Sequence, residues 1–280
     1  MKRLEQVLAQ WQHWATTASE RPRLAYRLGA GLSNINFLAK SGDAAWVIRL
    51  DGFQPAINRL NRQSEWHVLQ AASAQGLAPT PRYFNPELGA LVCDYLKPDP
   101  DPPSSLADIA GLLRRIHQLP ALHQRLDLGK RIAHYEDLCA KNAPEKLGEL
   151  SPLTLQVQSV IQICEAQLGT LHVCHNDLLA ANRLYSGGRL WALDWEYCAM
   201  GDPLFDLAAL SCGDELGLPA SEELLQLYLG RAATGREQQS LARYRVLYRY
   251  LELLWHASLS PDSLDWQSKL AALIKEFDTL

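Results

Sequence analysis

Along the chain the spacing of apolar positions changes several times, and each change marks an element. Leu4, Val7, Leu8, Trp11 and Ala15 recur at helical spacing, predicting an amphipathic helix over residues 2–18 with one buried stripe. Between residues 24 and 50 the period falls to two. Residues 37–40 and 45–50, joined by Ser41-Gly42-Asp43, read as a hairpin. Alternation puts Val47 and Arg49 on one face and Trp46, Ile48 and Leu50 on the other, so Arg49 can face a cleft while its neighbours pack inward. Residues 58–75 read as a helix that stops near Gly76, ahead of Pro79 and Pro81, with Glu65 mid-helix and able to pair with Arg49. A short strand over residues 91–96 leads into Lys97-Pro98-Asp99-Pro100-Asp101-Pro102-Pro103, where four prolines forbid regular structure. That run predicts the boundary between a first domain, residues 1–95, and a second, residues 104–280, with 96–103 as hinge.

Beyond the boundary the pattern is mainly helical. Ser105-Leu106-Ala107-Asp108 resembles a capping box, and Leu106, Ile109, Leu113 and Ile116 form a stripe that stops at Pro120. Residues 153–169 predict a further helix, followed by a short strand over 171–174 whose end delivers His175 and Asp177. A second hairpin is predicted from residues 184–185, the turn Ser186-Gly187-Gly188 and residues 190–193. Its far end delivers Asp194, so the turn folds Asn182 and Asp194 to one edge. Helical patterns close the chain near 221–230, 237–257 and 264–277. There is no internal repeat and no low-complexity tract besides the proline run.

Composition narrows the class. With 280 residues, 48% of them hydrophobic, the chain can bury a substantial core in one or two domains. A formal net charge of −4 provides no basic footprint for nucleic acid, and cationic or neutral small molecules suit it better. The six cysteines contain no C-x-x-C pair and read as reduced thiols of a cytoplasmic protein. Met1-Lys2-Arg3 is followed by alternating rather than unbroken apolar residues, so secretion is not expected. No run of 18 apolar residues predicts a membrane span. No feature of the sequence specifies an oligomeric state.

The chemistry concentrates in His175-Asn176-Asp177-Leu178-Leu179-Ala180-Ala181-Asn182, followed by Leu193-Asp194-Trp195-Glu196. Phosphoryl transfer needs a carboxylate to orient the attacking hydroxyl and oxygen ligands for a metal that bridges phosphates. Asp177, Asn182 and Asp194 fit those roles in order, with Mg²⁺ as the expected ion because hard oxygen donors and phosphates suit it. Taken singly each has a plainer reading, as turn former, loop residue or strand-end cap. His175 reads as a scaffold for the loop rather than a proton carrier. A zinc site from His172, Cys174, His175 and Asp177 is disfavoured because strand alternation splits them between faces. Glu196 reads as either a substrate-binding carboxylate or a structural one. Trp255, with Tyr248 and Tyr244 one and two helical steps behind it, could meet a quaternary ammonium group by cation–π attraction, although such a stripe is more often core.

The string HNDLLAAN, then LDWEY and GDPLFDLA, resembles the kinase-like small-molecule phosphotransferases: choline/ethanolamine kinases, thiamine kinases and aminoglycoside phosphotransferases. The D-W-E in place of D-F-G sets it apart from protein kinases. Gly29-Ala30-Gly31-Leu32-Ser33-Asn34 resembles the G-L-T-N turn of bacterial choline kinases. Arg49 stands where protein kinases carry a strand lysine, and Asn58-Arg59 with Glu65 resembles an N-R-x-x-E segment. The resemblance runs from about residue 26 to about residue 210. It implies an α+β, two-lobed protein-kinase-like fold, with a small β-rich N-lobe, a larger mainly helical C-lobe and ATP between them. Gly31, Ser33, Asn34, Arg49 and Glu65 would then serve the nucleotide phosphates, and Cys93, Asp94 and Leu96 of the hinge would meet the nucleobase. The implied acceptor is a small hydroxyl compound, choline or a similar amino alcohol first, then thiamine, then an aminoglycoside or sugar. A silent nucleotide-binding regulator is the remote alternative.

Overall fold

The computed structural model describes residues 2–30, 34–52, 57–58, 60–103, 105–259 and 265–280. These divide into two compact units, Met1–Pro103 with Asn182–Cys198, and Ser104–Ala181 with Ala199–Leu280.

In the first unit, β1 (Arg23–Ala30), β2 (Asn34–Ser41), β3 (Ala44–Asp51), β4 (Pro81–Asn85) and β5 (Ala90–Asp94) form an antiparallel sheet in the order β1-β2-β3-β5-β4. The alternation read from the sequence holds on β3. Trp46, Ile48 and Leu50 are buried in one cluster with Leu4, Val7, Leu8 and Trp14, while Arg49 takes the other face. Helix α1 (Lys2–Ala9) is shorter than the predicted span. The Val7 carbonyl accepts the Gln10 N–H and the indole N–H of buried Trp14, and the chain tightens into a 3₁₀ turn at Trp11–His13. Helix α2 (Arg62–Ala74) starts four residues later than predicted, where the Asn61 carboxamide accepts the Ser64 N–H at 3.0 Å, and is followed by Gly76 at φ +64°.

In the second unit, α3 (Leu106–Ile116) begins at Ser105, whose hydroxyl accepts the Asp108 N–H at 3.2 Å. Then come α4 (Leu128–Asn142), α5 (Pro144–Leu150), α6 (Thr154–Ala166) and strand β6 (His172–Cys174). Hairpin β7 (Arg183–Ser186) and β8 (Arg189–Ala192) belongs to the first unit, not to residues 104–280 as the sequence division has it. Hydrogen bonds explain this. The Asp99 carboxylate accepts the Gly187 and Gly188 N–H groups at 2.9 Å each, and Ala192 N–H reaches the Leu77 carbonyl at 2.8 Å. Strand β9 (Ala199–Gly201) pairs with β6, and α7 (Pro203–Gly213) is capped by Asp202. The chain closes with α8 (Leu218–Leu229), α9 (Gly235–Leu259) and α10 (Trp266–Phe277). The long α9 packs against α4, α6, α7 and α10, and its Arg245 and Arg249 both grip Glu276 of α10, at 2.7 and 2.6 Å. No described helix is long and apolar enough to cross a membrane.

Candidate active site

On the Arg49 face of the sheet, four carboxylates meet two guanidinium groups. Arg49 forks onto Glu65 of α2 (Nη1–Oε1 2.5 Å, Nη2–Oε2 2.8 Å) and also reaches Asp194 Oδ1 at 2.7 Å. Arg62, one turn before Glu65, contacts Glu65 at 2.7 Å, Glu196 at 3.0 Å and Asp51 at 2.6 Å. Asn34 donates its amide to Glu196 at 2.8 Å and to Asp194 at 3.3 Å. Glu65 and Glu196 are buried, and the Asp194 side chain keeps 24% of its surface exposed. Asp194 is at φ +57°, a strained conformation for a residue with a side chain.

Charge balance explains the titration of the group. Burial alone would raise the Glu65 carboxyl, but Arg49 and Arg62 hold it below its usual value. Burial would likewise lower Arg49, yet Glu65 and Asp194 carry it well above normal. Two members are undercompensated: burial raises the Asp51 carboxyl despite Arg62, and burial, then Glu196 beside it, push the Asp194 carboxyl up to about 7 against the pull of Arg49. A partly exposed carboxylate in a cluster with excess negative charge suits a divalent cation. Asn182 stands at the same end of the hairpin, since Leu193 N–H donates to the Asn182 carbonyl at 2.8 Å. The residues therefore fit a magnesium-nucleotide, with hard oxygen donors from Asp194 and Asn182 and a guanidinium from Arg49.

In the second unit the loop after β6 carries His175, Asn176 and Asp177. Buried Asp206 of α7 accepts the backbone N–H of His175 at 2.7 Å and of Asn176 at 2.5 Å, and Asn176 sits at φ +63°. Asp214 accepts the Ala180 N–H at 2.8 Å. Asp177 follows, half-buried; burial first, and then the negative charges of Glu252, Asp177 and Asp214, push the Tyr248 phenol well above its usual pKa. His117, Cys174 and Asp206 bring possible ligand atoms within 4.8 Å of one another. Both Asp206 oxygens already accept backbone donors, and burial pushes the Cys174 thiol far above its usual pKa, so the trio reads as packing rather than a metal centre.

The other sequence-predicted residues are placed as follows. Gly31, Ser33 and Arg59 lie outside the described residues. Asn34, expected at the phosphates, turns its amide onto Asp194 and Glu196. Cys93 is buried on β5 and its thiol is pushed up to about 12 by burial, while Asp94 pairs with Arg82 at 2.6 Å and Leu96 lies half-buried beyond the strand. His175 is fully buried. Glu196 is buried against Arg62 and Asn34. The aromatic stripe separates: Tyr244 is core, edge-on to Phe205 with its hydroxyl on Asp202 at 3.1 Å, whereas Trp255 is half-buried beside His256. Sequence reasoning missed Arg62. The chain holds two successive Asn-Arg pairs, and Asn61-Arg62, not Asn58-Arg59, has the N-R-x-x-E spacing to Glu65. It also missed Asp51, His117 and Asp214, which no local pattern marks.

Residues 25–247 match the phosphotransferase enzyme family, APH. Protein LicA of Haemophilus influenzae is 25% identical over 213 residues, 71% of this chain and 60% of LicA. Thiamine kinase of Salmonella heidelberg is 29% identical over 189 residues, 64% of this chain and 59% of that enzyme. The chain thus spans about three fifths of the length of these curated relatives. The crystal structure of choline kinase LicA from Streptococcus pneumoniae superposes with TM-score 0.73 at 23% identity, covering 99% of each chain, and LicA in complex with AMP gives the same score. The fold is therefore α+β and protein-kinase-like.

Proposed function

Because the chain belongs to the phosphotransferase enzyme family, we propose that it moves the γ-phosphate of ATP to the hydroxyl of a small cationic metabolite. One observation carries the reading: a strand arginine, its helical glutamate and the hairpin aspartate meet in a single buried ion network, Arg49 with Glu65 and Asp194. Arg49, held in orientation by the Glu65 fork, would present its guanidinium to the α/β-phosphates. Asp194 and Asn182 would hold Mg²⁺, which when bound offsets phosphate charge and draws the reacting oxygens into line. Arg49, which here reaches Asp194, would then be free to meet phosphate oxygens, while Arg62 stays on Glu65 and Glu196. Asp177 would orient the acceptor hydroxyl and receive its proton. The backbone bonds from Asp206 and Asp214 keep the loop in place for that step.

An acceptor of the choline class suits the half-buried Asp177 with Asp214 close to the Tyr248 ring, while Glu252 nearby is already paired with Lys269 at 3.1 Å. The 29% identity to a thiamine kinase supports thiamine, also cationic, as second reading. Acceptor-dependent ADP release, measured with choline, ethanolamine, thiamine and kanamycin with Mg²⁺ present, tests the proposal. The expected result is stimulation by one of the first three that disappears in Asp177→Ala. Nucleotide binding without turnover on any acceptor would overturn it in favour of a regulator.

A further inference from the structure

The start of the loop carrying Asp177 is held by the buried carboxylate of Asp206, which has a third partner the mechanism does not use. His117, at the end of α3, places Nε2 3.0 Å from Asp206 Oδ2, and its Nδ1 lies 2.8 Å from the hydroxyl of Tyr228 on α8. The imidazole is 4% exposed and the carboxylate 0%, so this hydrogen bonding is shielded from water.

The chemistry permits one consistent assignment for a neutral ring. An ionised carboxylate only accepts, so Nε2 carries the hydrogen, Nδ1 accepts, and the Tyr228 hydroxyl donates. Asp206 Oδ2 then receives the His117 ring N–H and the His175 backbone N–H, while Oδ1 receives that of Asn176. The two backbone donors, one on each oxygen, set the plane of the carboxylate, and the ring adds a third bond that ties it, and with it α7, to the end of α3. The consequence falls on Asn176, whose left-handed φ of +63° sets the direction in which Asp177 leaves the strand. The backbone repeats the tie, because the His172 ring Nδ1 donates to the His117 carbonyl at 2.9 Å. Arg114 of α3 donates to the carbonyls of Leu227 and Tyr228, fixing the helix that carries the phenol.

We propose that His117, backed by Tyr228, is a positioning residue for Asp177 that acts through Asp206 and touches no substrate. The catalytic part of this inference rests on the phosphotransferase reading; the structural part does not. The test is amide hydrogen exchange by mass spectrometry on wild type, His117→Leu, His117→Gln and Tyr228→Phe, with steady-state kinetics beside it. Glutamine is chosen because its side-chain N–H can stand in for Nε2–H.

In His117→Leu, exchange at His175 and Asn176 should speed by about tenfold or more while the interior of α7 changes by less than about twofold. The kcat should fall by roughly 10- to 100-fold with KM for ATP within about twofold, since a misplaced group costs turnover rather than nucleotide affinity. His117→Gln should recover most of both losses, and Tyr228→Phe should lie between leucine and wild type. Wild-type exchange at 175–176 in the leucine variant, acceleration spread equally through α7, or a glutamine variant no better than leucine would each overturn the proposal. Should His117→Leu fail to fold, Tyr228→Phe decides by the same two readouts. Absence of turnover in the wild type on every acceptor would defeat the functional reading alone, and the exchange comparison would still decide this one.

Discussion

Arg62 shows how one side chain can draw three carboxylates from separate elements together. It contacts Asp51, Glu65 and Glu196 at once, with a side chain about 90% buried. Removing one partner of a buried ion group leaves charge that neither water nor protein compensates, at a cost of about 3–5 kcal/mol. Arg62→Ala should therefore lose stability on that scale in urea unfolding, and Arg62→Lys should recover only part, because an ammonium lacks the planar fork that spans separate carboxylates. A loss below about 1 kcal/mol would show that the pocket hydrates and relaxes. Arg49 was legible in the sequence because strand alternation alone sets its face. Arg62 was legible too, since only Asn61-Arg62 has the N-R-x-x-E spacing to Glu65, but the earlier Asn58-Arg59 pair drew the reading; its contacts with Asp51 and Glu196 were not legible.

At the scale of elements, the start of α2 at Arg62 is a capping event. The Asn61 side chain satisfies the Ser64 N–H, so Asn61→Ala should cost about 1 kcal/mol, read as a lowered urea midpoint at unchanged slope. An unchanged midpoint would mean that packing, not the cap, sets the boundary. Amphipathic helices such as α3 and α6, and the hairpin β7–β8, could be read from period alone. Helix α7 could not: Phe205 to Cys212 are buried without interruption, so no polar face marks a helical period. Strand β4 escaped for another reason. It begins at Pro81, a residue that reads as a breaker but is tolerated at the first position of a strand.

For the whole molecule, the acid limb of stability offers a check on how α9 is buried. Burial, then the nearby charge of Lys269, lower the His256 imidazole to about 4. The unfolded chain binds its proton near pH 6.5, earlier than the folded one, so stability is complete above about pH 6.5 and drains as pH falls toward 4. His256→Gln should flatten the Tm-versus-pH profile in that window, and an identical slope in variant and wild type would show that the ring takes its proton freely in the folded state. The sequence by itself determined most element types through periodicity, implied the α+β fold through its family resemblance, and singled out Asp177, Asn182 and Asp194 as candidates, because periodicity and motif spacing are local and survive in one dimension. Tertiary structure alone decided that Asn34 and Arg62 meet Glu196, that the hairpin joins the first unit, and that His117 reaches Asp206. Those choices depend on hydrogen bonds between residues far apart in sequence, 89 positions for His117–Asp206 and 162 for Asn34–Glu196, whose formation depends on how whole elements pack.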